Sequence, residues 1–169
     1  MKNIELRNLK ISDVKKLYEI ILNPNFIHIV LPKSFESYRR YYSKKLSKRK
    51  QGLEFHYAII LNNEFVGTGG IKINEERPYI CEIAYIVDER YWNKGIATIV
   101  VKQLEQICFK KLKLTKLEIW TNPKNVGSNK VAVKLGFEKE GLLKKRVRER
   151  DNKLHDVKIY FKIKDGGGN

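Results

Sequence analysis

Midway along the chain, a mostly apolar run, Ile80-Cys81-Glu82-Ile83-Ala84-Tyr85-Ile86-Val87, leads through Asp88-Glu89-Arg90-Tyr91 into Trp92-Asn93-Lys94-Gly95-Ile96-Ala97-Thr98 and then into a long helical pattern ending near Lys111. The order is buried strand, short loop, glycine, helix. A strand this apolar needs cover on both faces, and the helix that follows can supply one of them. Gly95 and Ala97 let backbone approach a ligand closely. The first N–H groups of the helix have no intrahelical partner, and the helix dipole adds positive potential there. A phosphate or pyrophosphate can rest on such a start without help from side chains. The spacing is neither GxxxxGKS nor GxGxxG. Close packing of helix on sheet would select the same small residues, so the spacing alone leaves both readings open.

The rest of the chain alternates strand and helix patterns and predicts one α/β domain of the α+β kind over residues 1–164. Residues 4–7 read as a first strand, and Ser12 is placed to cap a helix carrying Val14, Leu17, Tyr18 and Ile21, stopped by Asn23-Pro24-Asn25. A second helix starts near Ser34, with Phe35, Tyr38, Tyr42 and Leu46 on one face and Arg39, Arg40, Lys44, Lys45, Lys48 and Arg49 on the other. Aromatics among bases can stack on nucleic acid; core spacing with solvated charges is the simpler reading. A hairpin follows over 55–71, turning at Asn62-Asn63-Glu64, and its glycines predict a bulge or a close backbone approach. The long helix has one polar member on its apolar face, Gln103. A strand at 117–120, a short helix from Val126 to Leu135 closed by Gly136, and a hairpin with arms 137–150 and 154–163 complete the pattern. Asp165 to Asn169 reads as a flexible tail.

Lys and Arg number 35 against 19 acidic residues, a net charge of +16, in a chain that is 42% hydrophobic. That excludes general disorder and disfavours a polycationic partner; it is compatible with a polyanionic one or with a Lys-rich compositional bias. The two cysteines, Cys81 and Cys108, form no CxxC pair and indicate neither a metal site nor a disulfide framework. No signal-like or membrane-length apolar stretch occurs, and the expectation is a soluble cytoplasmic protein with no membrane association.

Trp92 to Ala97 resembles the Q/R-x-x-G-x-G/A motif of the GNAT acetyltransferases, after a strand and at a helix start as that family requires. The stretch from Tyr91 to Thr98 is similar to the branch holding ribosomal-protein N-terminal acetyltransferases and spermidine acetyltransferases. Asn125-Val126-Gly127-Ser128, Leu135-Gly136-Phe137-Glu138, Glu140-Gly141-Leu142-Leu143 and Lys153-Leu154-His155-Asp156-Val157 follow in the branch's order, so the resemblance covers nearly the whole chain. It implies a mixed, mostly antiparallel twisted sheet of about seven strands with four helices, its central strands splayed. It implies acetyl-CoA as cosubstrate, no metal, and transfer of acetyl to a primary amine by direct attack in a ternary complex. The cofactor's pantetheine arm would bond backbone at Ile86 and Val87, and its pyrophosphate would lie on the amides of Asn93, Lys94, Gly95, Ile96, Ala97 and Thr98, with Lys94, Lys130 and Asn125 as helpers. Asn125 is equally a helix cap, and either lysine equally a surface residue.

Glu82, an acid inside an apolar strand, is the candidate base, or else half of a structural ion pair. Ser128, at the family's N-x-x-S position, is the candidate acid for the departing thiolate, with Tyr160 behind it. Two departures matter: Trp92 stands where many relatives have Gln or Arg, and Ala132 where other branches have an acidic tyrosine. The acceptor implied is a protein N-terminal α-amine of the ribosomal-protein type; the alternative is a polyamine or other small amine. Lys144, Arg146, Arg148 and Arg150 alternate along one predicted strand, which would make a basic wall facing an acidic peptide, the ribosome or RNA, or else a solvated strand face. A reading of another class keeps the fold as a non-catalytic nucleic-acid-binding module. Many relatives dimerise, and a homodimer is among the expectations.

Overall fold

Within residues 3–164, which this computed structural model describes, seven strands form one sheet in the order β1-β2-β3-β4-β5-β7-β6. The strands are β1 (Ile4–Asn8), β2 (Glu54–Leu61), β3 (Glu64–Ile73), β4 (Ile80–Val87), β5 (Lys116–Thr121), β6 (Glu138–Arg148) and β7 (Leu154–Ile163). All neighbours are antiparallel except β4 and β5. Helices α1 (Val14–Leu22) and α2 (Phe35–Ser47) cover one face; α3 (Ile96–Gln106) and α4 (Val126–Lys134) cover the other. The expected architecture of about seven strands and four helices is therefore present. The first two residues and the expected tail, 165–169, lie outside the described residues.

Alternation along the strands sends odd and even positions of β4 to different cores. Cys81, Ile83 and Val87 join Val100, Leu104 and Ala132 under α3 and α4. Ile86 packs instead with the cluster of Leu17, Ile21, Tyr38 and Tyr42 under α1 and α2. The tyrosines of α2 are thus core residues: Tyr38 and Tyr42 are buried with ring centroids 5.0 Å apart, while Arg39, Arg40 and Lys44 face outward. Ser34 caps α2, its hydroxyl accepting from Ser37 N–H at 3.2 Å while Ser37 Oγ accepts from Ser34 N–H at 3.1 Å.

The structure corrects the expected cap of α1. Ser12 lies inside a 3-10 turn, Ile11–Asp13, and Asp13 occupies the N-cap of α1 without a side-chain cap bond to that helix. Its carboxylate accepts from Lys10 N–H at 2.8 Å and is gripped by both guanidinium nitrogens of Arg7, each at 2.8 Å. The long helix reaches Lys111 as predicted, but its last stretch, Ile107–Lys111, is a π-helical turn. Gln103, the polar member of the apolar face, donates its side-chain N–H to Ile4 O at 3.0 Å and so ties α3 to the edge strand.

The turn between β2 and β3 is shorter than expected. Asn62 (φ 49°) and Asn63 (φ 67°) form a two-residue turn, and Glu64 already belongs to β3. Both readings of the β3 glycines hold. A bulge shifts register at Ile59/Ile60, opposite Gly67, and Gly67 (φ 153°) packs so tightly on β4 that a Cβ there would lie 2.1 Å from Ile86 O. The backbone oxygen cannot yield as a side-chain tip could. Gly67→Ala is expected to cost more than about 2 kcal/mol, seen as a lower urea midpoint, whereas Gly141→Ala, whose Cβ would meet nothing within 4 Å, should stay within about 0.5 kcal/mol.

Candidate active site

β4 and β5 run parallel but pair at three positions, Ile80 with Lys116, Cys81 with Leu117 and Glu82 with Glu118. Beyond these, β4 stays paired to β3 as far as Val87, and β5 stays paired to β7 as far as Thr121. Each strand is held on its far side, so the gap between them is built into the sheet and is not fraying. Its edges offer backbone donors and acceptors that an extended ligand can complete. Asp88 N–H bonds Val66 O at 2.8 Å. By antiparallel alternation, Ile86 and Ala84 then turn their backbone to β3, and Val87, Tyr85 and Ile83 turn theirs to the gap. The close approach of Ile86 O to Gly67 fits this. Of the two residues expected to bond a ligand through backbone, Val87 therefore has its main chain on the open side and Ile86 does not; the strand's alternation assigns that place to Tyr85.

The loop after β4 delivers the start of α3 to the same gap. Asp88 accepts from Arg90 N–H at 3.0 Å and pairs with the Arg90 guanidinium at 2.7 Å, fixing a short 3-10 turn. Trp92 donates its indole N–H to Val87 O at 2.6 Å and sets its ring edge-on to Phe26, with centroids 5.2 Å apart. Asn93 (φ 57°) and Gly95 (φ 77°) both take left-handed backbone, and Gly95 occupies the N-cap of α3 with no side-chain cap. The amides of Ile96, Ala97 and Thr98 therefore lack an intrahelical acceptor. A Cβ on Gly95 would meet no protein atom within 4 Å, so the space ahead of these amides is open. Lys94 Nζ bonds Arg90 O at 2.8 Å and lies 5.3 Å from the Tyr91 ring centroid, while Lys130 is exposed on α4. Uncapped amides, a left-handed loop and an open strand edge together fit a ligand with a pyrophosphate and an extended amide-bearing arm, as acetyl-CoA has.

The two candidate catalytic residues flank the gap on opposite faces. Glu82 is half-buried at the last paired position, on the side of α1 and α2. Burial raises its pKa; Lys72 and Lys45 pull it down, and Glu118 and Glu54 push it further up, with a net rise. Ser128 stands in the first turn of α4, on the other side, where its Oγ accepts from Tyr85 OH at 3.2 Å. Burial also raises the pKa of Tyr85, partly offset by that bond to Ser128. Asn125 caps α4, its Oδ1 accepting from Ser128 N–H at 3.1 Å. Tyr160 donates to Asn129 Oδ1 at 2.9 Å, linking β7 to α4. Ala132 is fully buried in the core and carries no group that could act as an acid.

Three residues near the gap escaped sequence reasoning. Tyr85 is one, although a phenol three residues after Glu82 in an apolar strand was visible. Trp120 is another, half-buried on the same face as Glu82, its indole N–H bonded to Glu118 Oε2 at 3.0 Å. The third is Glu149, the lone acid in a basic run. It is buried, receives Asn122 Nδ2 on both oxygens at 2.9 and 3.0 Å, and meets His28 Nδ1 at 3.0 Å. It thereby joins the end of β5, the segment before α2 and the last hairpin. His155 bonds Asp151, not its neighbour Asp156.

The expected one-faced basic wall on β6 does not form. The hairpin register slips between Leu143 and Val147, where three residues of β6 oppose Asp156 alone, and Lys145 takes a left-handed φ of 49°. Lys144 bonds Asp156 at 3.0 Å, Arg148 bonds Asn152, and Arg150 caps the end of α1 through Ile21 O, Leu22 O and Asn23 O. Arg146 lies over the Trp120 ring, 5.9 Å from its centroid.

The sequence profile of the acetyltransferase (GNAT) domain matches residues 3–138. The uncharacterised N-acetyltransferase p20 of Bacillus licheniformis is 30% identical over 119 residues, 70% of this chain; the match spans 66% of that relative's length. A RimL ribosomal L7/L12 α-N-protein acetyltransferase in complex with coenzyme A superposes with a TM-score of 0.81 at 24% identity, over 96% of this chain and 94% of that one. An acetyltransferase from Salmonella typhimurium that modifies the N-terminal serine of ribosomal protein L7/L12 does so with a TM-score of 0.85 at 25% identity, over 96% and 95%.

Gly95→Ala separates the loop's two roles. The left-handed φ of 77° makes any Cβ there strained by about 1 kcal/mol, a modest loss of melting temperature. The same strain shifts the left-handed N-cap that sets the α3 amides, so the dissociation constant for acetyl-CoA, measured by calorimetry, is expected to rise at least about tenfold.

Proposed function

From a chain that belongs to the acetyltransferase (GNAT) family, we propose transfer of acetyl from acetyl-CoA to a primary amine, a protein N-terminal α-amine, by direct attack in a ternary complex. The observation that carries this reading is the three-pair junction of β4 and β5, with an uncapped helix start on one side of the gap and a carboxylate on the other. Asn93 to Thr98 hold the pyrophosphate, and Tyr85 and Val87 hold the pantetheine arm as an added strand. The cosubstrate supplies the acetyl thioester. The acceptor then enters on the face of α1 and α2, where Glu82 lies.

An α-amine titrates near pH ~8 and is largely protonated at neutral pH, so a proton must leave before attack. Glu82 takes it. Its surroundings act on it through burial and charge, whereas both oxygens of Glu149 are engaged by Asn122 and His28. A raised pKa makes Glu82 the better acceptor of a proton. On the opposite face Ser128 gives a hydrogen bond to the departing sulfur, and Tyr85 can restore the proton through its bond to Ser128 Oγ. Both cysteines are fully buried with sulfurs 3.5 Å apart, which leaves no exposed thiol among the described residues to carry the acyl group. This supports direct transfer.

Glu82 and Glu118 bring two carboxylates to the end of the paired stretch, the second of them 3.3 Å from Lys116. That feature also suits a small cationic amine, the second reading. A CoA-release assay over acidic N-terminal peptides, lysine peptides and polyamines separates the two. Turnover of the first alone is expected.

Acetyl-CoA at ~100 times its dissociation constant should stabilise the protein by about 2.7 kcal/mol, a rise of several degrees in melting temperature, against a smaller rise with adenosine diphosphate. No shift would remove the cofactor and with it the proposal. Glu82 must be ionised to act, so turnover is expected to fall as pH drops through its raised pKa. Glu82→Gln should lower kcat by ~10²–10⁴ and abolish that acid limb. An unchanged acid limb in Glu82→Gln would remove Glu82 as the base.

A further inference from the structure

Of the four alternating bases Lys144, Arg146, Arg148 and Arg150, three are engaged by the protein itself: Lys144 by Asp156, Arg148 by the turn residue Asn152, Arg150 by the end of α1. Arg146 makes no hydrogen bond or ion pair among the described residues; its one contact of this kind is with the Trp120 ring. The bulge that aims it is pinned. Asp156 accepts from Lys144 Nζ and from Lys145 N–H, each at 3.0 Å, and Lys145 holds its left-handed φ there. Bulges commonly serve to re-aim a side chain beside a site. Trp120 is fixed in turn, through its indole N–H on Glu118. It lies two residues past the last β4–β5 pair, on the face that carries Glu82.

The order along this face is carboxylate, indole, guanidinium. Glu82 and Glu118 stand at the amine end, Trp120 makes the plate between, and Arg146 stands at the far end. A planar guanidinium with free N–H groups is matched to a carboxylate, which it can bind through two parallel hydrogen bonds. We propose that Arg146 recognises an acidic side chain at the second or third residue of the acceptor peptide, with the indole under the intervening backbone. This rests on the acetyl-transfer reading and names the acceptor more closely. A free amino acid is too short, because its carboxylate is two bonds from its amine while β5 and β7 lie between the strand of Glu82 and the strand of Arg146. A polyamine would bring a second cation to the guanidinium.

The test compares a free-amine peptide carrying glutamate at positions two and three with the same peptide carrying glutamine, and adds free glutamate as a third acceptor. Wild-type protein is expected to prefer the glutamate peptide by about tenfold or more in kcat/KM. Arg146→Gln should collapse that ratio towards one by raising KM for the glutamate peptide. Arg148→Gln, which removes an equal charge already bound at Asn152, should keep the wild-type ratio, and added salt should weaken the preference. A wild-type ratio near one, a ratio that Arg146→Gln leaves intact, or an Arg146→Gln defect that lies in the KM for acetyl-CoA would each overturn the proposal. So would free glutamate turned over as well as the peptide, or no turnover of either peptide. The acetyl-transfer reading stands or falls separately, on the acetyl-CoA melting shift and on CoA release with lysine peptides and polyamines.

Discussion

Everything at the site follows from the early parting of β4 and β5. Parallel strands joined by a crossover helix normally stay paired along their shared length, because each unpaired backbone group in a sheet interior forfeits a hydrogen bond. Here both strands find their bonds elsewhere, β4 on β3 and β5 on β7, and the cost is confined to two short facing edges. Glu82 and Glu118 occupy the last shared position. A carboxylate there is half out of water yet still open to whatever enters the gap, which is the environment that raises its pKa without sealing it off.

The two faces of the gap differ in chemistry because strand alternation sends neighbouring residues to opposite sides. Odd positions of β4 meet α3 and α4, where Tyr85 reaches Ser128; even positions meet the side of α1 and α2, where Glu82 looks across to Trp120 and Arg146. One strand thereby presents a phenol to one face and a carboxylate to the other. The net charge of +16 says little about either. Many of the cations that surround the gap are engaged: Lys45 on Glu54, Lys116 on Glu118 and Glu140, Lys144 on Asp156, Lys162 on Glu105. Surface pairs of this kind hold geometry more than they add stability.

Most of the element order was legible in the sequence, because hydrophobic periodicity and turn residues are local signals. Ser34 before Phe35, Asn62-Asn63 between two strands, Gly95 before α3 and Gly136 after α4 each state a backbone requirement that no other part of the chain has to confirm. Where local reasoning missed, the deciding partner lay on another element of the fold. Asp13, not Ser12, stands at the N-cap of α1, and its carboxylate is held by Arg7 on the preceding strand. The even alternation of four bases on β6 was broken by Asp156 across the hairpin. Glu149 became a structural knot through His28 and Asn122, one of them 121 residues away.

The sequence by itself determined the elements, their faces and the glycine-led helix start that can take a pyrophosphate, since these depend on residue type and on spacing of two, three or four. Only the tertiary structure decided where β4 and β5 part, that Tyr85 meets Ser128, and that Arg146, of the four alternating bases, is the one left beside Trp120. Those outcomes depend on strand register and on competition among charges for partners. Both are settled by contacts between segments far apart in the chain, which no local pattern encodes.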